Sequence, residues 1–310
     1  MKKIKILIIG YSSFVRRRVI PSLKKNKKIN YCICSKSNKI NSKNKILYNY
    51  YLEGLKNFNP DLVYISTVNS LHYKYAKSVL INGFNLIVDK PITLDLKKTK
   101  ELLNIAKKKK LFFAEATLFN YHRVFKVIEK LCNGKDKIEH VQSTLNLPLV
   151  KTIKEIKKIK GDCEADTATY AAAIMRLFTG NTLNKINVYK YYFKNTKLVK
   201  SFYIMANSKN ITYVGNFAFQ REYSQQIIFY TKNKIIFSPQ RIFALPPNKN
   251  LELIIKTKNT LKKINVLKDD CIKNFFNLVF NCLKRKNYQF FYNIMLQEAK
   301  LRDIIKLEKN

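Results

Sequence analysis

The sequence predicts an α/β chain in two parts: an N-terminal doubly wound parallel sheet with helices on both faces, then a C-terminal α+β domain with a mostly antiparallel sheet. Three observations carry this reading. Over the first 115 residues, short β-branched runs alternate with amphipathic stretches, the rhythm of parallel strands joined by covering helices. Beyond residue 138, long β-rich segments follow one another closely, which favours antiparallel neighbours. Finally, 310 residues at 46% apolar composition are enough for two cores, and they exclude both disorder and a disulfide-stapled mini-fold.

In the first part, strands are expected at Ile4–Ile9, Tyr31–Ser35, Leu62–Ser66, Leu86–Val88 and Leu111–Ala114. They are short and almost continuously hydrophobic, as strands buried on both faces are. Helices are expected between them at Phe14–Lys25, Leu71–Asn82 and Leu96–Lys108, and the Lys/Asn/Ser-rich stretch Lys36–Lys45 reads as a loop. A connecting helix, Val124–Leu131, leads into β-rich segments at Ile138–Leu147, Ile186–Phe193, Phe202–Ala206, Ile211–Gln220 and Gln226–Phe237. Two helices, Asp269–Lys284 and Phe291–Leu307, close the chain. The boundary falls between residues 119 and 120, giving domains 1–119 and 120–310.

The formal charge is +40, from 60 Lys+Arg against 20 Asp+Glu, and alone it would suggest a polyanionic partner. Only nine of the bases are Arg, whereas phosphates and base edges are read best by the bidentate guanidinium. The lysines are scattered and accompanied by abundant Asn, Ile, Tyr and Phe, the residues of A/T-rich codons. We read the charge as solvated surface and expect no specific nucleic-acid partner. No apolar run approaches the roughly 20 residues that span a bilayer, and Ile6–Ile9 is too short for a signal segment. The expectation is a soluble, cytoplasmic protein with no membrane partner. Six cysteines and three histidines show no metal-ligand spacing. Cys32 and Cys34 fit one face of a strand and read as reduced core residues.

The first strand ends at Gly10, and Tyr-Ser-Ser-Phe-Val leads from it into a helix. In a dinucleotide-binding sheet this turn receives the pyrophosphate on backbone N–H groups. The Gly-x-Gly-x-x-Gly pattern is degraded here: Gly10 fits, while Ser12 and Val15 occupy the other glycine positions. Ser12 and Ser13 still offer hydroxyls and N–H donors, and the segment reads equally as an ordinary strand-to-helix connection. After the second strand, a carboxylate that receives the ribose of NAD would repel the extra phosphate of NADP. This chain has Ser35-Lys36-Ser37 there, two hydroxyls and a cation. That favours NADP over NAD, against the alternative of a solvated loop lysine.

Further along come Asp61-Leu-Val-Tyr-Ile-Ser-Thr67-Val-Asn69-Ser-Leu-His72, Asn82-Gly83-Phe-Asn-Leu-Ile-Val-Asp89-Lys90-Pro91 and Ala114-Glu115. In this order, these segments resemble the glucose-fructose oxidoreductase/inositol dehydrogenase (Gfo/Idh/MocA) family over essentially the whole chain, most strongly over residues 4–130. The resemblance implies a Rossmann domain followed by a domain with a large, mostly antiparallel sheet. It also implies a nicotinamide cofactor and a sugar, nucleotide-linked sugar or polyol as substrate. Asp89-Lys90-Pro91 matches the family's Glu-Lys-Pro with Asp for Glu. The match places Lys90 beside the nicotinamide and substrate hydroxyl and implies a cis bond before Pro91. Thr67, Asn69 and His72 match the segment passing the cofactor, at the carboxyl edge where a parallel sheet binds ligands; His72 can equally be a helix-start residue without chemical duty. Glu115 and His122 fall in the family's next segment, where a common Arg is replaced by Asn120.

Gly161-Asp-Cys-Glu-Ala-Asp166-Thr-Ala-Thr-Tyr170 resembles the family's second catalytic segment, with Tyr170 where many members have His. At i and i+4, Asp166 and Tyr170 share a helix face; Tyr170 can also be a core aromatic. Alcohol oxidation moves a hydride from carbon and a proton from oxygen. Tyr170 is the candidate proton carrier, since a neighbouring ammonium favours its phenolate. Lys90 supplies that charge in one assignment and carries the proton itself in the other, and Asp166 orients the hydroxyl or holds Lys90. Loss of chemistry with retention of dinucleotide binding is the alternative function, suggested by the departures at Ser12, Val15, Asn120 and Tyr170. The family's C-terminal sheet commonly supplies an oligomer face, and Val188–Phe193 would suit that role.

Overall fold

The first strand, β1 (Ile4–Ile9), is six residues of nearly pure aliphatic side chain, and its position explains that composition. It lies in the middle of a six-stranded, all-parallel sheet together with β2 (Ile29–Cys34), β3 (Leu47–Tyr48), β4 (Leu62–Ile65), β5 (Leu86–Asp89) and β6 (Phe113–Ala116). The order is β3-β2-β1-β4-β5-β6, the doubly wound arrangement whose direction of winding reverses between β1 and β4. The computed structural model describes residues 3–35, 47–48, 50–134, 136–148, 152–159, 161–179, 183–208 and 210–307. Lys36 and Ser37, and with them the expected loop through Lys45, lie outside the described residues.

The connections of this sheet are helical. A π-helical turn, Val15–Val19, runs into α1 (Ile20–Lys24); α2 (Tyr51–Phe58), α3 (Asn69–Ile81) and α4 (Leu96–Lys108) follow. The α2 helix was not expected from the sequence. Helix α4 starts where Asp95 places a side-chain acceptor on the N–H groups of Lys97 and Lys98, at 2.7 and 3.2 Å, an N-cap of the usual kind. It buries Thr99, Leu102, Leu103 and Ala106 at helical spacing. Cys32 and Cys34 are buried free thiols in β2, and burial pushes their pKa values up to about 12 and about 11.

A turn of 3-10 helix, Leu118–Tyr121, and α5 (Arg123–Leu131) come next. Then follow β7 (Ile138–Leu147), α6 (Ile153–Ile159), α7 (Cys163–Thr179), β8 (Leu183–Tyr192), β9 (Val199–Ser208) and β10 (Thr212–Phe219). The chain continues through β11 (Ser224–Thr231), β12 (Ile235–Phe237), β13 (Leu251–Lys256) and β14 (Leu261–Val266) to α8 (Cys271–Arg285) and α9 (Gln289–Leu307). The eight strands form one sheet in the order β14-β13-β12-β11-β7-β10-β9-β8. Among the described residues of this sheet, β7 and β10 pair in parallel and the other pairings are antiparallel. The segment Gln226–Phe237, expected as a single run, is the hairpin β11–β12, and β13, β14 and α6 lie beyond the expected elements.

The chain divides into two units. One comprises Met1–Ala116 with Phe275–Leu296, the other Thr117–Asn274 with Gln297–Asn310. The first break lies three residues before the boundary expected at 119/120. The return of 275–296 to the first unit has no counterpart in the division into 1–119 and 120–310. Its cause is aromatic: within the first unit, Phe291 stacks edge-on against Phe112 at 5.0 Å and Tyr292 donates its hydroxyl proton to the carbonyl of Leu111.

Candidate active site

The site begins at the point where the sheet of the first unit reverses its winding. β1 ends at Gly10, whose N–H donates to the carbonyl of Cys34 at 2.8 Å. Its φ of +100° is open to glycine and strained for any other residue. A Cβ at this position would stand 2.2 Å from the carbonyl oxygen of Ser66, so glycine is what lets the ends of β1 and β4 close on each other. The chain then passes through Tyr11 and Ser12 into helical residues 13–24. Ser12 accepts the N–H of Val15 at 3.1 Å, fastening the first helical turn, and Ser13 is exposed. A glycine-kept close approach, hydroxyls and a helix start are the features a pyrophosphate requires, so this turn fits a dinucleotide despite its missing glycines. Val15, in the third glycine position, is fully buried.

Lys90 and the flanking Asp89 and Pro91 sit at the carboxyl end of β5, and the Lys90–Pro91 bond is cis. The carboxylate of Asp89 is held on both oxygens: Tyr64 donates to Oδ1 and Ser66 to Oδ2. Burial raises the Asp89 pKa, while the two hydroxyls and the charges of His72 and Lys90 oppose that rise. Ser66 Oγ lies 2.8 Å from Ser12 Oγ. His72, 1% exposed, stands between two backbone carbonyls, Nδ1 at 2.8 Å from Pro91 O and Nε2 at 3.1 Å from Thr67 O. Glu115, buried in β6, accepts the N–H of Ile92 at 3.3 Å.

The structure therefore brings Gly10, Ser12, Thr67, Asp89, Lys90 and Pro91 together at adjacent strand ends, with Asn69 at the start of α3. Both ring nitrogens of His72 stand within hydrogen-bond distance of backbone carbonyls, and both carboxylate oxygens of Asp89 accept hydroxyls within the protein. Ser35 is half-buried just beyond β2. Tyr64 and Ser66 were missed by sequence reasoning. A tyrosine and a serine in an otherwise aliphatic buried strand were the available signal, because a buried hydroxyl demands a partner.

In the second unit, Asp166 and Tyr170 lie one turn apart on α7. Asp162 accepts the N–H of Ala165 at 2.9 Å with one oxygen and the N–H of Val199 at 3.0 Å with the other, which starts α7 and ties it to β9. The Tyr170 ring packs against Phe119 and Phe243, with centroids at 5.6 and 5.0 Å. Tyr170 is half-buried. His122 caps α5, accepting the N–H of Val124 at 3.1 Å, and Asn120 is half-buried in the preceding turn. Among the described residues there is no cluster of His, Cys, Asp and Glu able to hold a metal ion, and no helix long and apolar enough to cross a membrane.

The whole chain superposes on KijD10, a 3-ketoreductase from Actinomadura kijaniata solved with NADP and TDP-benzene. The TM-score is 0.89 at 17% identity, covering 99% of this chain and 98% of that one. UDP-N-acetylglucosamine 3-dehydrogenase GnnA from Acidithiobacillus ferrooxidans gives 0.80 at 13% identity over 99% and 98%. At these identities the likeness is one of fold. In sequence, trans-1,2-dihydrobenzene-1,2-diol dehydrogenase of Xenopus tropicalis is 23% identical over 116 residues, 37% of this chain and 35% of that enzyme. D-xylose 1-dehydrogenase (NADP(+)) of Hypocrea jecorina is 32% identical over 89 residues, 28% of this chain and 23% of that enzyme. The chain thus spans about a third or less of the curated relatives it matches. Over residues 4–117 the chain matches the model of the Gfo/Idh/MocA oxidoreductase family, NAD-binding Rossmann fold.

Proposed function

We propose that the protein is an NADP-preferring oxidoreductase that interconverts an alcohol and a ketone on a sugar, nucleotide-linked sugar or polyol. The observation that carries the reading is the Lys90–Pro91 turn, set beside the Gly10 turn at the winding reversal of a parallel sheet, where such sheets bind ligands. The named activities of the ketoreductase and of the xylose dehydrogenase, both associated with NADP, support the same choice. Gly10, Ser12, Ser13, Thr67 and Asn69 hold the dinucleotide in this reading, with Ser35, Lys36 and Ser37 at its ribose end. A bound nicotinamide supplies or accepts the hydride. Lys90 donates a hydrogen bond to the substrate oxygen and stabilises negative charge there. Tyr170 exchanges the proton, and Asp166 orients the hydroxyl.

Fluorescence titration with NADPH and NADH, followed by turnover on a panel of nucleotide-linked keto sugars, tests the proposal. Lys90→Ala should keep NADPH binding and lose at least about 100-fold in turnover, the scale of a lost acid-base or charge-stabilising group. Undiminished turnover would overturn the role of Lys90. NADPH binding with no turnover by wild type across the panel would favour a binder without chemistry, as Ser12 and Val15 in glycine positions suggest. We further infer that copies associate through β8 and β9, whose outer face presents Tyr189, Tyr191 and Met205, the last two 61% and 53% exposed. A monomeric mass in light scattering would refute this.

A further inference from the structure

Two departures from the family motifs, Ser12 for Gly and Asp89 for Glu, are 77 residues apart in sequence and meet in space. An ionised carboxylate only accepts hydrogen bonds, so the hydroxyls of Tyr64 and Ser66 both donate to Asp89. A hydroxyl has one proton to give. Ser66, having committed its proton to Asp89, accepts from Ser12; Ser12, having committed its own to Ser66, accepts from the N–H of Val15. The result is a one-way chain from the first helical turn after Gly10 to the residue before Lys90. A glycine at position 12, lacking a hydroxyl, would break it. Tyr64 is fully buried and Ser66 2% exposed, and hydrogen bonds shielded from water are stiff and cooperative.

A second brace acts on the same turn. His72 stands within hydrogen-bond distance of the carbonyls of Pro91 and Thr67 and in its neutral form donates to one of them; the shorter contact is to Pro91, so Lys90 sits between two held neighbours, Asp89 through its side chain and Pro91 through its backbone. Both anchors lead to the end of β4, and the carbonyl of Ser66 is the atom against which Gly10 closes.

Resting on the oxidoreductase reading, we propose that the Gly10–Ser13 turn and the Lys90–Pro91 turn form one coupled unit through Ser12, Ser66, Asp89 and Tyr64, so that a dinucleotide seated on the first sets the position of Lys90 on the second. Tyr64 and Ser66 are then positioning residues, acting on the chemistry only through Asp89 and Lys90.

The test is a double-mutant cycle on NADPH affinity, read by fluorescence titration, with Ser12→Ala, Tyr64→Phe and the double variant. Each single change should weaken NADPH binding by roughly 5-fold, and the double variant should be no weaker than about 5-fold, since both cut the same chain. A double variant weakened by the product, about 25-fold, would overturn the coupling, as would a Tyr64→Phe protein that binds NADPH like wild type. Ser12→Thr, which keeps the hydroxyl, should bind within about 2-fold of wild type; a loss equal to that of Ser12→Ala would count against the chain. If Tyr64→Phe fails to fold by circular dichroism, Asp89→Asn takes its place in the cycle with the same two outcomes. Wild-type protein that binds neither NADPH nor NADH would remove the oxidoreductase reading, and this inference with it. Additive variants on a wild type that does bind remove this inference alone.

Discussion

Lys90 and Tyr170 carry the two halves of the proposed chemistry, and their surroundings differ in kind. Lys90 follows a strand end where Asp89, Ser66, Ser12 and His72 fix the turn by directed hydrogen bonds. Tyr170 rests on the rings of Phe119 and Phe243, and the polar order near its helix comes from ion pairs and a cap. Glu164 pairs with Lys190 at 2.9 Å, and Arg176 with the fully buried Glu298 at 2.8 Å. Hydrogen-bonded turns hold a side chain at one point, while aromatic packing holds the plane of a ring. The first unit therefore resembles a fixed frame and the second a packed face, and substitutions should separate the two.

The largest effect belongs to the frame. Gly10→Ala would add both a left-handed residue and a clash with the Ser66 carbonyl, and should remove about 4 kcal/mol or more of stability, the range reserved for backbone overlap in a core. Gly83 also has positive φ but open space around its Cα, so Gly83→Ala should cost only about 1 kcal/mol, the strain of the conformation alone. Urea unfolding of the two variants measures the difference. Equal costs would show that the closure of β1 on β4 does not depend on residue 10.

In the second unit the comparable break is electrostatic. Arg176→Met leaves the Glu298 carboxylate buried without its guanidinium and should cost about 3 kcal/mol, as truncating one member of a buried pair does. Adding Glu298→Leu should return stability to within about 1 kcal/mol of wild type, because the charge and its desolvation are removed together. If the double variant is as unstable as the single, the pair acts by packing rather than by charge.

What could be read from the sequence divides along the same line. The frame was legible where its information is local: Gly10 ends a strand, and Lys90 precedes a proline within a motif. The chain that holds Asp89 was not, since Tyr64 and Ser66 point to a partner more than twenty residues away. Pattern within a strand gives a face and not a contact. In the second unit, the β11–β12 reversal escaped because it contains no glycine or proline. Thr231 turns the chain by accepting the N–H groups of Asn233 and Lys234, and Asp136 fixes both of those side chains. A Lys-Asn turn is inconspicuous in a chain so rich in both. The return of 275–296 to the first unit rests on contacts such as Phe291 with Phe112, which hydrophobic periodicity marks as buried without saying against what.

The smallest effect is a pH dependence confined to the second unit. His122 caps α5 through Nδ1, and burial, its largest influence, lowers its pKa, with Asp269 pulling the other way. The unfolded chain takes up a proton near the usual value of about 6.5 while the folded chain does not yet. Stability from this group is therefore full above about 6.5, falls as the pH drops below it, and stops falling once the folded imidazole is also protonated. Burial raises the carboxyls of Asp162 and Glu164 in the same unit, which works in the opposite direction on acidification. The wild-type curve alone would mix these contributions. The difference between wild type and His122→Asn, measured by urea unfolding from pH 8 down to pH 5, isolates the histidine, because Asn can accept the same N–H and does not titrate. Wild type should lose stability relative to the variant as the pH falls through that interval. A constant difference would mean that His122 is protonated as readily in the folded chain as in the unfolded one, and that its cap tolerates the charge.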